Sequence, residues 1–91
     1  MNITAIRIRK LCEEEKLKAI VSITLDNKIT VHDIKIVKGP HRLFVAMPSR
    51  KDENGTYRDI AHPIDYETRE SLEAQVLLEY YNYVERQNLG I

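Results

Sequence analysis

The hydrophobic period of the sequence changes at Pro63, and this change restricts the fold more than any other feature. Before Pro63, apolar residues recur at every second position, as in LKAIVSITL at 17–25, a pattern typical of half-buried β-strands. After it, they recur at helical spacing from Asp65 to about Gln87. Because proline cannot donate to a sheet ladder and aspartate is a good N-cap residue, we expect the sheet to end and a helix to begin here.

Five strands are predicted before the helix, and they cover residues 3–10, 17–25, 28–38, 43–47 and 56–62. The sequence therefore predicts an α+β fold. A five-stranded, mostly antiparallel sheet (1–64) is expected to be packed by one long C-terminal helix (65–88). The length of 91 residues suits a single domain over 1–91.

Finer details of these strands also follow from the residue types. Asp26 and Asn27 tolerate positive φ and predict a turn between the second and third strands. In the third strand the apolar residues change face halfway along. A β-bulge at His32-Asp33 explains the change, and so does a strand buried on both faces at different ends. The segment LFVAM at 43–47 is apolar throughout, which predicts a strand covered on both faces.

Charge is distributed unevenly along the chain, although its net charge is zero. Residues 1–64 contain 12 Lys and Arg against 8 Asp and Glu, whereas residues 65–91 contain 2 against 6. If the chain binds a polyanion, we therefore expect the first two-thirds of the chain to do so. No apolar run approaches the roughly 20 residues that cross a membrane, and the first ten residues do not resemble a signal peptide. A cytoplasmic location without membrane contact is expected.

The sequence contains no arrangement typical of an enzyme or a metal site. It has no Gly-rich phosphate loop, no His-x-x-x-His pair and no cysteine pair, since Cys12 is the single cysteine. His32 and His62 lie near Asp33 and Asp59 in the sequence, a spacing that ordinary local hydrogen bonds also produce. We therefore expect no catalytic residue, metal, cofactor or small-molecule substrate.

The stretch MPSRKDENGTYRDIAHP at 47–63 places Arg50, Lys51 and Arg58 around a predicted Asn-Gly turn. A two-residue turn sets Lys51 opposite Arg58, and a three-residue loop sets Arg50 opposite Arg58. A four-residue loop separates the cations slightly. In every register three cations lie near one tip, and like charges directly opposite each other destabilise a sheet. Two explanations remain open: an anion-binding tip, or a solvated loop that protects a sheet edge.

The helix is apolar over a wider arc than one sheet needs. One stripe is expected to face the sheet, and it comprises Leu72, Val76, Tyr80, Tyr83 and Val84. Leu77, Leu78 and Tyr81 extend the apolar arc beyond that stripe. A second copy of the chain is the favoured partner for this additional surface.

Four segments carry a resemblance to a known family. They are SITLD at 22–26, VHDI at 31–34, LFVAMPS at 43–49 and RDIAHPI at 58–64. In order and spacing they resemble the SpoVG family, the stage V sporulation protein G septation regulators. The resemblance implies a small bacterial cytoplasmic protein that binds DNA and RNA and influences septation, sporulation and gene expression. It also implies a homodimer whose subunits combine an antiparallel sheet with a C-terminal helix.

The resemblance also assigns roles to individual residues. The family's basic positions are matched by Arg50, Lys51 and Arg58, which are expected to contact nucleic acid. Outside the family's pattern, additional basic contacts are expected from Arg42, which stands where a Gly often precedes LFVAMPS, and from Arg7 and Arg9 on the basic face of the first strand. Asp52 and Glu53 stand where the family often has Thr and Pro, so this loop is more acidic than is usual in the family.

An alternative function belongs to a different class. The chain would be a protein-interaction module that regulates the division or sporulation machinery without direct contact with nucleic acid. Its contact face would be the apolar surface of the helix around Leu77 and Tyr81.

Overall fold

Residues 2–88 are described by the computed structural model, which contains six strands followed by one helix. The elements are β1 (Ile3–Leu11), β2 (Leu17–Leu25), β3 (Ile29–Lys38), β4 (Leu43–Ala46), β5 (Ser49–Lys51), β6 (Tyr57–Asp59) and α1 (Tyr66–Asn88). β1 to β4 form one antiparallel sheet in that order, and β5 pairs only with β6. The α+β class with one C-terminal helix is confirmed. The single five-stranded sheet is wrong, because the last two strands form a separate hairpin.

The sheet ends at β4 because of Pro48. This residue has no N–H for a ladder, and its carbonyl accepts a hydrogen bond from the Ile60 amide at 2.7 Å. The chain therefore leaves the sheet after Ala46 and begins the hairpin at Ser49. The returning strand, predicted over 56–62, is correspondingly shorter.

As a result, β4 is an edge strand of the four-stranded sheet. Val45 faces the helix and is buried, whereas Phe44 faces the other side and remains 36% exposed. The prediction that 43–47 is covered on both faces is therefore wrong within the described chain. An unbroken apolar run indicates burial only where a second layer is present, and the helix covers one face alone.

The turn and the bulge in the centre of the sheet are confirmed. Asp26 and Asn27 have φ values of 51° and 55°, the left-handed values that a tight hairpin turn requires. Further along, His32 and Asp33 of β3 lie opposite the single residue Ser22 of β2. Asp33 has a φ of 62°. The bulge is thus the reason for the change of apolar face in β3.

The core lies between α1 and the inner face of the four-stranded sheet. Its buried apolar residues are Ala19, Val21, Ile23, Ile34, Ile36, Val45, Met47, Leu72 and Val76. All four strands contribute to this layer, because partly buried side chains of β1 pack against the same cluster. The opposite, outer face of the sheet has no layer on it within the described residues.

The helix begins as predicted. The Asp65 carboxylate accepts hydrogen bonds from the Thr68 amide at 2.9 Å and from the Thr68 hydroxyl at 2.8 Å, as an N-cap residue does. These bonds lower the pKa of Asp65. The predicted stop at Gly90 lies outside the described residues. Over residues 2–88, no helix combines the length and the apolar character needed to span a membrane.

Candidate nucleic-acid interface

The β5–β6 hairpin carries the three cations predicted to form the site. Ser49 pairs with Asp59, Arg50 with Arg58, and Lys51 with Tyr57. Of the three registers that the sequence allowed, the structure therefore adopts the one with the three-residue loop. Arg50 and Arg58 are direct cross-strand neighbours.

The loop is shaped by Asp52 and Gly55. The Gly55 amide donates to the Asp52 carbonyl at 3.0 Å, and the Asp52 amide donates to the Thr56 carbonyl at 2.9 Å. Gly55 has a φ of 82°, which a residue with a Cβ rarely adopts. The Asp52 side chain reinforces the turn, because its Oδ1 accepts the amides of Asn54 and Thr56, both at 2.9 Å.

Asp52 also neutralises one of the three cations. Its Oδ2 accepts a hydrogen bond from Arg58 Nε at 2.8 Å, forming an ion pair in which the Arg58 side chain remains 74% exposed. The Arg58 hydrogen bond and then those from the loop amides lower the pKa of Asp52. The repulsion between Arg50 and Arg58 is thus relieved by a carboxylate of the chain itself. It is not a reason to expect an external anion.

The three cations do not share one face of the hairpin. Side chains alternate along a strand, so Arg50, Asp52 and the cross-strand residue Arg58 lie on one face. Lys51 lies on the other face with Tyr57, its pairing partner. The Lys51 side chain also folds toward the turn, since its Cε is 3.6 Å from the position that a Cβ on Gly55 would take.

Arg50 and Lys51 are the cations of the hairpin that no carboxylate engages. Both residues are exposed, and neither forms an ion pair within residues 2–88. The hairpin also contains Glu53 and Asp59, so its formal charge is balanced. Positive charge is nevertheless available on the hairpin, because the Asp52 carboxylate is directed into the turn and toward Arg58 and engages neither Arg50 nor Lys51.

Arg42, predicted as an additional contact, is engaged elsewhere. Its Nη1 pairs with Glu73 Oε1 of α1 at 2.7 Å and also donates to the Leu43 carbonyl at 3.0 Å. The other oxygen of Glu73 accepts the Val45 amide of the edge strand at 3.3 Å. Arg42 and Glu73 therefore tie the helix to the edge of the sheet. Glu73 carries no signal in the sequence, because no local pattern links residues 31 positions apart.

Arg7 and Arg9 lie in β1, away from the hairpin. Arg7 pairs with Ser22 of β2 in the sheet register. Arg9 Nε donates to the Ser22 hydroxyl at 3.1 Å, and the same hydroxyl lies 2.8 Å from Nδ1 of His32. The structure thus gathers these residues on the outer face of the sheet, around a serine that the sequence analysis did not select.

The predicted partner residues on the helix differ in exposure. Leu77 is half-buried and packs against the core together with Tyr80. Tyr81 is 54% exposed, and the neighbouring Leu78 is 61% exposed. Burial raises the pKa of Tyr80, and the adjacent Tyr81 adds to that shift. Around Leu77, the apolar surface that the helix leaves uncovered is therefore formed by Leu78 and Tyr81, and Tyr66 in the first turn is also 72% exposed.

The remaining polar groups do not assemble into a catalytic or metal site. Within residues 2–88, no three His, Cys, Asp or Glu side chains are placed to hold a metal ion. His62 lines a shallow surface depression with Tyr57, Arg58 and Asp59. The hairpin therefore presents the exposed positive charge of Lys51 beside the exposed aromatic ring of Tyr57.

Comparison with known proteins agrees with the resemblance of the four segments. The model of the SpoVG family matches residues 1–82. A Clostridium perfringens SM101 protein named "Putative septation protein SpoVG" is 56% identical over 80 residues, covering 88% of this chain and 89% of that protein. Proteins of the same name from Lachnospira eligens and Thermoanaerobacter sp. X514 are 53% and 55% identical over 85 and 80 residues. These two alignments cover 93% and 88% of this chain, and 96% and 87% of the relatives.

Proposed function

Because the chain belongs to the SpoVG family, we propose that it is a nucleic-acid-binding regulatory protein that acts in the bacterial cytoplasm on septation, sporulation and gene expression. It is not an enzyme in this proposal. It binds DNA, RNA or both through the β5–β6 hairpin, by contacts to the phosphate backbone. Such contacts position a protein on nucleic acid without reading its sequence.

The proposal rests on one observation: the cationic side chains of Arg50 and Lys51 are not neutralised within the described chain. Both extend from a short exposed hairpin without an acidic partner in the described chain. The nearest acidic residue in sequence, Asp52, is occupied by the loop amides and by Arg58. Arg58 shares in the site through its terminal nitrogens, because only its Nε is held by Asp52. Arg50 and Lys51 project from opposite faces of the hairpin, so each suits a different phosphate of an extended nucleic-acid backbone.

The aromatic ring beside Lys51 supports the same function. Tyr57 pairs with Lys51 and is 69% exposed, although tyrosine rings in folded proteins are commonly covered on one side. Unpaired bases stack on exposed aromatic rings next to cations in proteins that bind single strands. The hairpin thus combines a phosphate contact with a stacking surface.

The experiment is a binding titration at increasing salt. Fluorescence anisotropy is measured with a labelled DNA duplex and with single-stranded DNA and RNA of the same length. For wild type, the logarithm of the affinity is expected to fall linearly with the logarithm of the salt concentration. In Arg50→Gln with Lys51→Gln, the salt slope is expected to decrease by about two and the affinity to fall about tenfold.

The matched control removes the same charge from exposed loops elsewhere, by Lys16→Gln with Lys28→Gln. This variant is expected to bind within about twofold of wild type, because diffuse charge contributes less than direct contacts. If both double variants lose affinity equally, only net charge matters. If neither changes the salt slope, the hairpin does not contact the phosphates.

We also propose that the chain acts as a homodimer. The uncovered apolar residues include Leu78 and Tyr81 on α1 and Ile64 before it, which is 92% exposed. A dimer would present two hairpins to one nucleic acid, so that binding at the second is intramolecular. Sedimentation equilibrium measures the mass directly, and a monomer at all concentrations would contradict this proposal.

A second candidate function is a protein-interaction module that regulates the septation machinery without touching nucleic acid. The exposure of Leu78 and Tyr81 on the helix favours it. The discriminating variant is Tyr81→Glu, which places a charge in that surface. Pull-downs with purified division proteins should lose their partner in Tyr81→Glu and keep it in the hairpin double variant. A partner that both variants retain, or no partner captured by the wild type, would contradict this second function.

A further inference from the structure

A β-bulge lies near Ser22 in each of the two strands that pair with β2. On the β1 side, the register shifts between Ile8 and Lys10, so that Arg9 is the additional residue. On the β3 side, His32 and Asp33 together oppose Ser22. Bulges re-aim side chains, and these two direct Arg9 and His32 toward one hydroxyl.

The serine at this point is buried although nothing packs on its side of the sheet. Ser22 lies on the face opposite to Val21 and Ile23, yet it is 3% exposed and is the buried polar residue of the described chain. Arg9 and His32 both bond to its Oγ, at 3.1 and 2.8 Å, and are the side chains known to lie against it. The serine thus holds two exposed side chains in fixed positions.

The hydrogen-bond chemistry leaves donors directed outward. Arginine only donates, so Ser22 accepts from Arg9 Nε and its own hydrogen is available for Nδ1 of His32. In the tautomer in which Ser22 donates to Nδ1, the imidazole carries its hydrogen on Nε2. Neither the terminal nitrogens of Arg9 nor Nε2 of His32 has a protein partner in residues 2–88. These free donors stand next to each other because both side chains share one anchor.

The surroundings add positive charge. Arg7 is paired with Ser22 in the sheet register and projects from the same face of the sheet. Lys35 also lies on this face, one pairing step beyond the Val21–Ile34 pair. Asp33 is the nearest acidic residue in sequence, and it forms no ion pair with these cations within the described chain. An anion approaching this face therefore meets the side chains of Arg7, Arg9 and His32, and no carboxylate is bonded to any of these three within the described chain.

From this geometry we propose that Arg9 and His32, held by Ser22 and supported by Arg7, form a second binding site, specific for a phosphate group, on the outer face of the four-stranded sheet. The outward donors of a guanidinium and an imidazole match the oxygens of a phosphate. This inference rests on the proposed function in one respect: the expected source of the phosphate is the backbone of a bound nucleic acid. A small phosphate compound is the other source of the same chemistry.

The first experiment uses inorganic phosphate as the probe, with chloride at equal ionic strength as the reference. Amide NMR spectra are expected to show saturable shifts concentrated at residues 9, 22 and 32. Ser22→Ala leaves the net charge unchanged but removes the anchor, and it is expected to weaken phosphate binding about fivefold. Lys28→Gln, which removes a charge from a distant turn, is expected to leave binding within about twofold. If Ser22→Ala does not fold, Arg9→Lys tests the same point, because it keeps the charge and loses the Nε bond.

The second experiment identifies the source. Labelled single-stranded DNA is added to the Arg50→Gln with Lys51→Gln chain, in which the hairpin contacts are absent. Adding Arg9→Gln is expected to lower the remaining affinity about fivefold and to reduce the salt slope by about one. If the oligonucleotide does not bind wild type while inorganic phosphate still shifts the three amides, the proposed function fails and the site stands with a small phosphate as its ligand. Diffuse shifts, or equal phosphate affinity in wild type, Ser22→Ala and Arg9→Lys, would overturn the site.

Discussion

The hairpin and the sheet–helix body of this protein are held together by different forces. In the body, nine buried apolar residues from the sheet, from Met47 beyond β4 and from α1 form one cluster. In the hairpin, every residue of β5 and β6 is exposed, and the turn is held by hydrogen bonds to Asp52. The sheet–helix body is stabilised by removing apolar surface from water, whereas the conformation of the hairpin is held by local polar contacts.

This difference indicates how the molecule separates stability from binding. A hairpin without buried residues is marginal on its own, so its shape depends on the Asp52 carboxylate and on its attachment through Pro48 to the body. The cationic residues of the hairpin can therefore be substituted without disturbing the core. Asp52 and Glu53, which distinguish this loop from the usual family pattern, have different roles, since only Asp52 organises the turn and engages Arg58.

The largest expected effect comes from the core. Ile34→Ala removes a fully buried side chain and is expected to lower the free energy of unfolding by about 2–5 kcal/mol. The measurement is urea denaturation followed by circular dichroism. Ile60→Ala makes the same chemical change at a residue that is 67% exposed, and a change of about 0.5 kcal/mol or less is expected. Equal losses would show that the division into a buried body and an exposed appendage is incorrect.

Acidification is expected to have the next largest effect, and it acts on both regions. Asp52 and Asp65 have pKa values below their ordinary 3.8, Asp52 because of Arg58 and the loop amides, Asp65 because of Thr68. A lowered folded pKa means that each carboxylate stabilises the folded state fully above pH 3.8. This contribution is lost as the pH falls through the lower folded value.

Amide NMR over this acidic range separates the two regions. The amides of Asn54 and Thr56 should report the loss of the hairpin turn, and that of Thr68 the loss of the helix cap. In Asp52→Asn the hairpin amides should no longer titrate, while Thr68 should titrate as in wild type. Midpoints above 3.8 at these positions would contradict the assignment.

The smallest expected effect concerns the tie between α1 and the edge strand. Glu73→Gln removes the ion pair with Arg42, whose side chain is 66% exposed, and is expected to cost about 0.2–1 kcal/mol. Thermal unfolding at low and high salt measures it, and added salt should reduce the difference between wild type and variant. A loss of unfolding free energy several times larger would show that Glu73 stabilises the fold as much as a core residue does.

Several elements were predictable because their signals are local. The alternation in 17–25 predicted β2 with the observed bounds, and the change of apolar face indicated a bulge at His32-Asp33 as one of two explanations, the one that the structure adopts. Asp65 was predicted as the helix cap from its position after a proline. In each case, the physical cause lies within a few residues of the pattern that reveals it.

The errors arose where distant parts of the chain decide the outcome. The run at 43–47 is apolar on both sides, but whether both sides are covered depends on the number of layers, and Phe44 remains exposed. The hairpin was assigned to the main sheet because its alternation is that of any strand. Which strand becomes its partner is decided by the path that the chain takes after Pro48.

The candidate site was predicted in part. Arg50, Lys51 and Arg58 do lie on one hairpin, in one of the registers considered. Their unequal availability was not predictable, since it depends on the direction of the Asp52 side chain. Ser22 gave no signal either, because a serine at an outward position of a strand is ordinarily exposed and becomes buried only under Arg9 and His32.

By itself, then, the sequence determined the class of fold, the central strands, the start of the helix and the family to which the chain belongs, and it reduced the change of face in β3 to two explanations. These follow from periodicity, turn chemistry and the order of four segments. The tertiary structure alone decided the division into a sheet and a separate hairpin, the pairing of Asp52 with Arg58 and of Arg42 with Glu73, and the assembly of Arg9 and His32 on Ser22. Those features depend on distances between residues that are remote in sequence, and hydrogen bonds and ion pairs form only after packing has brought their atoms within about 3 Å.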